Sequence, residues 1–373
     1  MALRTTFPCS DDHTDDHEEI HLRHNTGLYA TDYGLVADGT SNPLSGVYAT
    51  LAAAQAVYTC AVGLTDEIDW CAIQTALDAA GTKPVYINGQ AITNRPLVMS
   101  TQQALIGVGQ NTRITKNSNT AGSGTRAYGA ATDDYAIDAI IQIDHAVDTV
   151  SSRVRIENVR LISSLGAGYV AVGIYAPRVR QLSVRNVDIS LCTIGIKFHT
   201  IFLSGLVDVY VTGHSTTTAF QIANDGTGQA STSTEFHHCF ANTGSVGYDL
   251  FGLRYSSLVN CAADHIGTDG VPGKAYWLRS CSTVVLSGCG AEDCTGEVIQ
   301  TSLCRILVNC MDTDGIDGVT AGTHGYITLD GGQAVFSACR FRPFDTPRNS
   351  FNERLLNGAE TDWTLSMQPA GGA

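Results

Sequence analysis

Apolar and polar residues follow two different patterns along this chain. Over residues 66–80, apolar side chains recur every three or four positions behind an acidic start, and this spacing predicts a helix. From residue 84 to about 340, apolar residues instead form short β-branched runs separated by glycine, asparagine, serine and threonine. Such runs predict many short strands joined by tight turns, over a length that is large for a sandwich.

One of these runs recurs and ends each time in cysteine. The cysteines are Cys239, Cys261, Cys289, Cys310 and Cys339, spaced by 22, 28, 21 and 29 residues. Earlier runs ending at Val159 and Val187, and another near Leu206, align with them. One strand per coil of this length predicts a right-handed single-stranded parallel β-helix over residues 84–342, an all-β fold in which like residues stack about 4.8 Å apart.

A column of five cysteines is open to two interpretations, core packing or a metal or redox site. Free cysteine packs as a small apolar side chain, and neighbours at strand spacing lack tetrahedral geometry. The chain has 12 cysteines but no Cys-x-x-Cys pair, which disfavours zinc ribbons and thioredoxin-type chemistry. We interpret the column as packing, expect its thiols to be reduced and inaccessible, and predict no metal and no cofactor.

The cysteine register also predicts which side chains point outward. With the cysteines inward, residues one and three positions later face solvent. The first outward column is then Phe240, Ala262, Gly290, Met311 and Arg340. The second is Asn242, Asp264, Glu292, Thr313 and Arg342. Asp264 and Glu292 are therefore predicted on neighbouring coils, about 5 Å apart, above a low floor of alanine and glycine.

Paired carboxylates at this separation suit glycosidic cleavage, in which one acts as acid and the other as base or nucleophile. We predict Asp264 and Glu292 as the catalytic pair. The predicted supporting or substrate-binding residues are His265, Asp293, His238 and Asn242. A solvated acidic face or a subunit interface would give the same pattern in a chain with 36 acidic residues. His237, His238 and His265 are competing bases for a lyase, and a structural role for each stays open.

Four segments together resemble a known family. Residues 33–39 read Tyr-Gly-Leu-Val-Ala-Asp-Gly, and residues 69–80, 84–89 and 105–109 follow as a helix and two strands. This order resembles the opening of pectate-lyase-superfamily β-helices, above all those of bacteriophage tailspikes and capsule depolymerases. The resemblance implies that the helix caps the N-terminal end of the coils. It also implies a virion tail protein, assembled in the host cytoplasm, that binds and cleaves a host surface polysaccharide.

The resemblance, together with small residues on the outward columns, predicts a homotrimer. Two other functions remain open at this point. One is a structural or adhesive tail spike that binds glycan without cleaving it. The other is a bacterial polysaccharide lyase or epimerase, although no acidic cluster with an adjoining basic residue matches the calcium-dependent lyases.

The chain divides into four expected parts. Residues 1–30 are acidic, histidine-rich and poor in core residues, and we expect an exposed arm that could attach to a tail or baseplate protein. Residues 31–83 form the cap segment, 84–342 the β-helix and 343–373 a C-terminal cap or tail. The arm contains a His-Glu-x-x-His match at residues 17–21, which we interpret as solvated or as an adventitious metal binder because no apolar helix face accompanies it.

Charge and hydropathy exclude further classes. Basic residues number 22 and acidic residues 36, giving a net charge of −14, which disfavours nucleic acid as a partner. No apolar stretch reaches the roughly 18 residues of a membrane helix, so no membrane insertion is predicted. The first residues lack the apolar core of a signal peptide, so ordinary secretion is not expected. The Gly-Val-Gly at 107–109 lacks the remainder of a dinucleotide-binding motif and suits a coil turn.

Overall fold

The computed structural model describes residues 27–118, 125–128, 131–134, 138–143, 150–164, 170–223, 230–268, 271–316, 327–343, 353–356 and 360–364. The predicted arm therefore lies almost entirely outside the described residues, as does most of the predicted C-terminal tail. Within the described parts, strands of successive coils pair in parallel and in register, which confirms the predicted parallel β-helix. None of the helices in these parts is long and apolar enough to cross a membrane.

The coils have three faces, here called A, B and C in chain order, and long strands bend round a corner to serve two faces. Face A contains the strands Pro84–Ile87, Ala104–Gly107, Arg155–Ser163, Ser183–Ser190, Gly205–Thr212, Glu235–His237, Leu253–Val259, Ser282–Ser287, Gly296–Asn309, Ile327–Ser337 and Glu360–Thr364, with Leu28–Tyr29 paired to the first. Face B contains Gln90–Thr93, Arg113–Lys116, the second parts of Arg155–Ser163, Ser183–Ser190 and Gly205–Thr212, then Phe240–Gly244, Ala262–Thr268, Gly290–Glu292, Asp312–Ile316 and Arg340–Pro343.

Face C contains Leu97–Met99, Ala139–Ile143, Val170–Arg180, Cys192–Phe202, Thr218–Ile222, Val246–Phe251, Val271–Arg279, the first parts of Gly296–Asn309 and Ile327–Ser337, and Glu353–Leu356, with Ser151–Ser152 and Ser231–Thr232 at its end. Outside the coils, Thr125–Tyr128 pairs in antiparallel fashion with Ala131–Asp134. The helices are α1, Leu51–Gln55, and α2, Ile68–Ala80, and short 3-10 turns occur at Ala30–Tyr33 and Leu44–Gly46.

Helix α2 caps the first coils, as the resemblance implied. Its predicted apolar positions Trp70, Ile73, Leu77 and Ala80 are all buried, and the Trp70 indole donates to the carbonyl of Pro96 at 2.9 Å. The helix begins two residues later than predicted. Asp66 instead belongs to the preceding turn, where its carboxylate accepts from the backbone N–H groups of residues 62 and 63 at 2.7 and 2.9 Å.

Buried Asp69 ties α2 to the segments around it. One carboxylate oxygen accepts from the backbone N–H groups of Val36 and Ala37, at 2.8 and 3.1 Å, and the other accepts from Ile92 at 2.9 Å. Burial raises the pKa of the Asp69 carboxyl, and the three backbone donors oppose that effect. This side chain thus fixes the turn at residues 33–39 and the first face B strand onto the cap.

The interior is filled by columns of like side chains, one from each coil. On face C, the Tyr248 ring stacks between Phe220 and Tyr276 with centroid distances of 4.9 and 5.0 Å. Each buried phenol donates to a backbone carbonyl, Tyr248 to Cys239 at 2.7 Å and Tyr276 to Gly290 at 2.7 Å. Pairing these hydroxyls avoids a penalty of about 1–3 kcal/mol for each buried unsatisfied group.

The predicted cysteine column is correct at four positions and wrong at the fifth. Cys239, Cys261 and Cys289 are buried and Cys339 is partly buried, but Cys310 is exposed. Gly290 pairs with Asp312, so Met311 lies opposite Cys289 and is 1% exposed. The interior column therefore reads Val159, Val187, Val209, Cys239, Cys261, Cys289, Met311 and Cys339.

The same one-residue error misplaces one residue in each outward column, while Arg340 keeps its predicted place in the first column. Asp312, and not Met311, follows Gly290 in the first column. Asp314, and not Thr313, follows Glu292 in the second, and Thr313 is buried. The predicted pairing of Asp264 with Glu292 lies before the error and is unaffected.

Cys310 belongs to a repeated turn, here called the A/B corner, that joins face A to face B in each coil. One residue with a positive φ, between 51° and 63° in all eight coils, makes the turn. These residues are Asn158, Asn186, Asp208, His238, Asn260, Gly288, Cys310 and Ala338. Asparagine, aspartate and glycine are the residues that tolerate this conformation best, which explains why five of the eight positions are one of these three.

Candidate functional site

The candidate site occupies the outer surface of face B, where three consecutive coils place polar side chains in line. Asn242 pairs in register with Asp264, and Asp264 pairs with Glu292. The backbones of neighbouring strands lie about 4.8 Å apart, so the two carboxylates rise from adjacent positions. Ala262 and Gly290 pair beside them and form the low floor that the sequence predicted.

Asp264 is the more enclosed of the two carboxylates. Its side chain is 19% exposed, and Oδ1 lies 2.6 Å from Nδ1 of His265. Despite this short contact, Oδ1 of Asp264 accepts no hydrogen bond of regular geometry from any described residue. Glu292 is exposed. The two acids of the pair therefore have different environments, one held beside an imidazole and one open to solvent.

His265 and Asp293 flank the pair at the end of face B, as predicted. Both have positive φ, 53° and 46°, because the chain turns there toward face C. Nε2 of His265 lies 3.7 Å from Oδ2 of Asp293, so the imidazole stands between two carboxylates. Ligand atoms of Asp264, His265 and Asp293 all lie within 4.8 Å of one another, a set that could also hold a cation.

An aromatic wall borders the site, and sequence reasoning found only half of it. Tyr210 pairs in register with Phe240, and the two rings stack with centroids 5.1 Å apart and planes 12° apart. Both side chains are partly exposed. Asn242 donates from Nδ2 to the Tyr210 hydroxyl at 2.6 Å, which links the wall to the polar column. Extending the first outward column one coil back from Phe240 would have identified Tyr210.

The structure does not bring His238 to the carboxylate pair. His238 lies in the A/B corner, four residues before Asn242, which corresponds to roughly 13 Å of strand. There Nδ1 of His238 lies 3.4 Å from Oδ1 of Asp208, and its Nε2 lies 3.2 Å from the side-chain amide nitrogen, Nδ2, of Asn260. The His237 ring stacks on it at 4.0 Å. These contacts make His238 part of a polar ladder along the corner.

The geometry of face B suits an extended polar ligand. Stacked aromatic rings offer an apolar surface to a sugar ring, while carboxylate, amide and imidazole groups offer partners to its hydroxyls. Two carboxylates on adjacent strands supply the groups that acid–base cleavage of a glycosidic bond requires.

Solved structures with the same architecture include several phage tailspikes. The gp42 tailspike of Acinetobacter phage vb_AbaP_AS12 matches with a TM-score of 0.70 at 16% identity, covering 92% of this chain and 63% of that one. The enzymatically active domain of tailspike protein 2 from bacteriophage CBA120 matches with a TM-score of 0.60 at 14% identity, covering 90% and 47%. DFA-IIIase from Arthrobacter chlorophenolicus A6, without its lid, gives 0.59 at 11% identity, covering 92% and 91%.

These matches confirm, at the level of the fold, the likeness to tailspike β-helices that the sequence indicated. At 11–16% identity they establish the fold alone, and the chain spans 63% and 47% of the two tailspike chains. No protein-family model and no curated protein matches the chain.

Proposed function

We propose that this protein is a phage tailspike that binds a host cell-surface polysaccharide along face B and depolymerises it by glycosidic cleavage. The observation that carries the proposal is the register pairing of Asp264 with Glu292 beside the stacked Tyr210–Phe240 wall. The fold shared with tailspikes supports the class of protein, and the residues on face B support the class of ligand.

In this proposal Asp264 and Glu292 divide the acid and base or nucleophile roles. Their strands are about 4.8 Å apart, nearer the roughly 5–5.5 Å separation of retaining glycosidases than the wider inverting one. His265 holds the Asp264 carboxylate in position through its 2.6 Å contact, and Asp293 steadies the imidazole from the other side. Asn242 orients a sugar hydroxyl beside the aromatic wall.

The direct test is a substrate panel. The purified protein is incubated with capsule and O-antigen polysaccharides, and the products are examined for new reducing ends and for the ultraviolet absorbance of unsaturated uronates. New reducing ends without that absorbance support hydrolysis. Unsaturated products would replace hydrolysis with elimination, and binding without cleavage would favour the adhesive alternative.

The adhesive alternative has one observation in its favour. Asp264 is engaged with His265, and His265 approaches Asp293, so part of the acidic cluster is already internally paired. A spike that only holds its glycan would need no free acid.

The assembly that we propose is a homotrimer in the virion tail, with residues 1–30 as the arm toward a tail or baseplate protein. Large apolar side chains stand exposed at positive-φ corners, with Leu203 51%, Tyr255 69% and Leu303 69% exposed. Those positions favour glycine or asparagine in a solvated turn, so apolar residues there suit contact with another subunit.

A further inference from the structure

Two free thiols meet in the cap segment, where the connection that follows α1 packs against α2. Cys60 on that connection is partly exposed, and Cys71 on α2 is buried. Sγ of Cys60 lies 3.6 Å from the carbonyl oxygen of Cys71 and 3.6 Å from Oγ1 of Thr75, one helical turn further on. The two thiol groups are also hydrogen-bonded to each other. A small side-chain shift would therefore bring the two sulfur atoms within bonding distance.

The contact makes the two thiols chemically unequal. The hydrogen bond from the Cys71 thiol lowers the pKa of the Cys60 thiol, and the Thr75 hydroxyl adds to that effect, while burial opposes it. The same hydrogen bond, together with burial, raises the pKa of the Cys71 thiol. Because the thiolate is the reactive form of cysteine, Cys60 should react first, and it is also the thiol that solvent reaches.

Other thiols that contact one another lie inside the coils. Cys261 contacts Cys289, and Cys281 contacts Cys304. All four of these side chains are at most 2% exposed, so a small-molecule oxidant does not reach them in the folded protein. Exposure as well as contact therefore distinguishes the pair in the cap segment.

A bond between Cys60 and Cys71 would close a ring around the buried turn that precedes α2. Within this ring, Asp66 accepts from the backbone N–H groups of residues 62 and 63 and pairs with Arg95 at 2.6 Å. Glu67 accepts from the Ser41 hydroxyl at 2.6 Å. The ring thus contains the carboxylates that attach this connection to the rest of the cap segment, and a covalent link would hold them in place.

We propose that Cys60 and Cys71 form a disulfide that locks this connection onto α2 when the protein meets a small oxidising disulfide, such as oxidised glutathione. The Cys60 thiolate attacks one sulfur of oxidised glutathione, whose S–S bond breaks, and one glutathione leaves and takes up a proton from solvent. Cys71 then attacks Sγ of Cys60, and the second glutathione leaves with the Cys71 proton. Two protein thiols are oxidised to one disulfide, and one glutathione disulfide is reduced to two thiols.

The moment of locking rests on the proposed function, because a tailspike passes from the reducing cytoplasm in which it assembles to an oxidising medium outside the cell. The thiol chemistry itself needs neither glycan nor the residues of face B.

The test follows both cysteines of the full chain by mass spectrometry. The reduced, native protein is incubated with oxidised glutathione at pH 8, and the remaining thiols are alkylated. It is then digested without reduction by an Asp-specific endoproteinase, which cuts between the two cysteines at residues 66 and 69. We expect linked peptides that carry Cys60 and Cys71. The linked protein should unfold about 3 °C or more above the reduced protein, because the bond restricts the unfolded chain.

Two variants separate the steps, and a third is the control. Cys71→Ala should retain glutathione on Cys60, because the second thiol is missing, whereas Cys60→Ser should leave Cys71 unmodified, because it is buried. Cys310→Ser removes an exposed thiol elsewhere and should form the link like the parent.

A parent protein in which Cys60 retains glutathione would overturn the proposal, and so would one in which Cys60 and Cys71 stay free while Cys310 reacts. Equal unfolding temperatures of the linked and reduced proteins would overturn the locking role. Should the variants not fold, the linked peptides of the parent decide alone. All of these outcomes are measured without polysaccharide, so they are independent of whether the protein cleaves one.

Discussion

At the scale of single residues, the function of face B depends on two carboxylates that differ in their surroundings. Asp264 is enclosed beside His265, and Glu292 is open to solvent on the next coil. Their adjacency follows from strand register, and their difference follows from the turn that brings an imidazole to only one of them.

Asp264→Asn and Glu292→Gln should each lower the rate of polysaccharide cleavage about 100-fold or more, because each removes a proposed acid or base. Binding to the same polysaccharide should remain within a few-fold of the parent. The measurement is release of reducing ends from a substrate found in the panel, with binding measured separately. Parent-like cleavage by both variants would show that the pair is a surface feature.

Cys310 should be the reactive cysteine of the last coils. It is exposed, whereas burial raises the pKa of the Cys261 thiol to about 12, so that thiol stays protonated and unreactive at neutral and mildly alkaline pH. Maleimide labelling of the native protein at pH 8, followed by peptide mass spectrometry, should modify Cys310 and spare Cys261 and Cys289. Labelling of Cys261 at the same rate, or a Cys261–Cys289 disulfide, would contradict the assignment of these side chains to a closed core.

At the scale of elements, the strand pattern was readable from the sequence wherever polar and apolar residues alternate. The column from Val159 to Cys289 was predicted because its members end similar short apolar runs. The prediction failed at the next coil, where residues 306–308 read Ile-Leu-Val. Three apolar residues in a row hide the period of two, and only the register shows that Leu286 pairs with Val308.

The candidate site was predicted in part for the same reason. Asp264, Glu292, His265 and Asp293 lie within the readable register, and the structure places them together. The separation of His238 from them was also readable, because His238 lies four residues before Asn242, but the prediction did not apply the register to this residue.

The floor of face B offers a test at this scale. Gly290→Leu would place a bulky side chain on the floor beside Glu292, in the same column as the aromatic wall. A Cβ at Gly290 meets only the carbonyl of Asp312, at 3.4 Å, so the fold should change in stability by about 0.5 kcal/mol or less. Polysaccharide binding should weaken about tenfold or more, as measured by retention on immobilised glycan.

Gly205→Leu serves as its control. Gly205 begins a face A strand, and a Cβ there meets nothing within 4 Å. The control should bind like the parent. Unchanged binding by Gly290→Leu would remove the floor of face B from the binding surface.

At the scale of the whole molecule, a β-helix gains its stability from repetition, because each coil contacts the coils before and after it. Helix α2 covers the first coils through Trp70 and the buried Asp69 carboxylate. The exposed apolar corners at Leu203, Tyr255 and Leu303 run along the side of the stack and are the surfaces that a neighbouring subunit would cover.

We expect a trimer in solution, with a mass about three times the 39.5 kDa of the chain. Light scattering coupled to size exclusion measures this mass. Replacing Tyr255 and Leu303 together by asparagine, which tolerates positive φ, should shift the population toward smaller species. A stable 39.5 kDa species of the parent protein would contradict trimer formation.

The A/B corner also determines where the chain can change length. One positive-φ residue joins faces A and B in every coil from Asn158 to Ala338, while the connections from face B to face C vary in length. An extra residue beside Asn260 would shift Asp264 by one position and turn its carboxylate toward the core. Extra residues between Thr268 and Val271 would leave that register intact. Insertions and deletions among related chains should therefore occur mainly in the connection from face B to face C. A foreign peptide introduced into this protein should be tolerated best in the same connection.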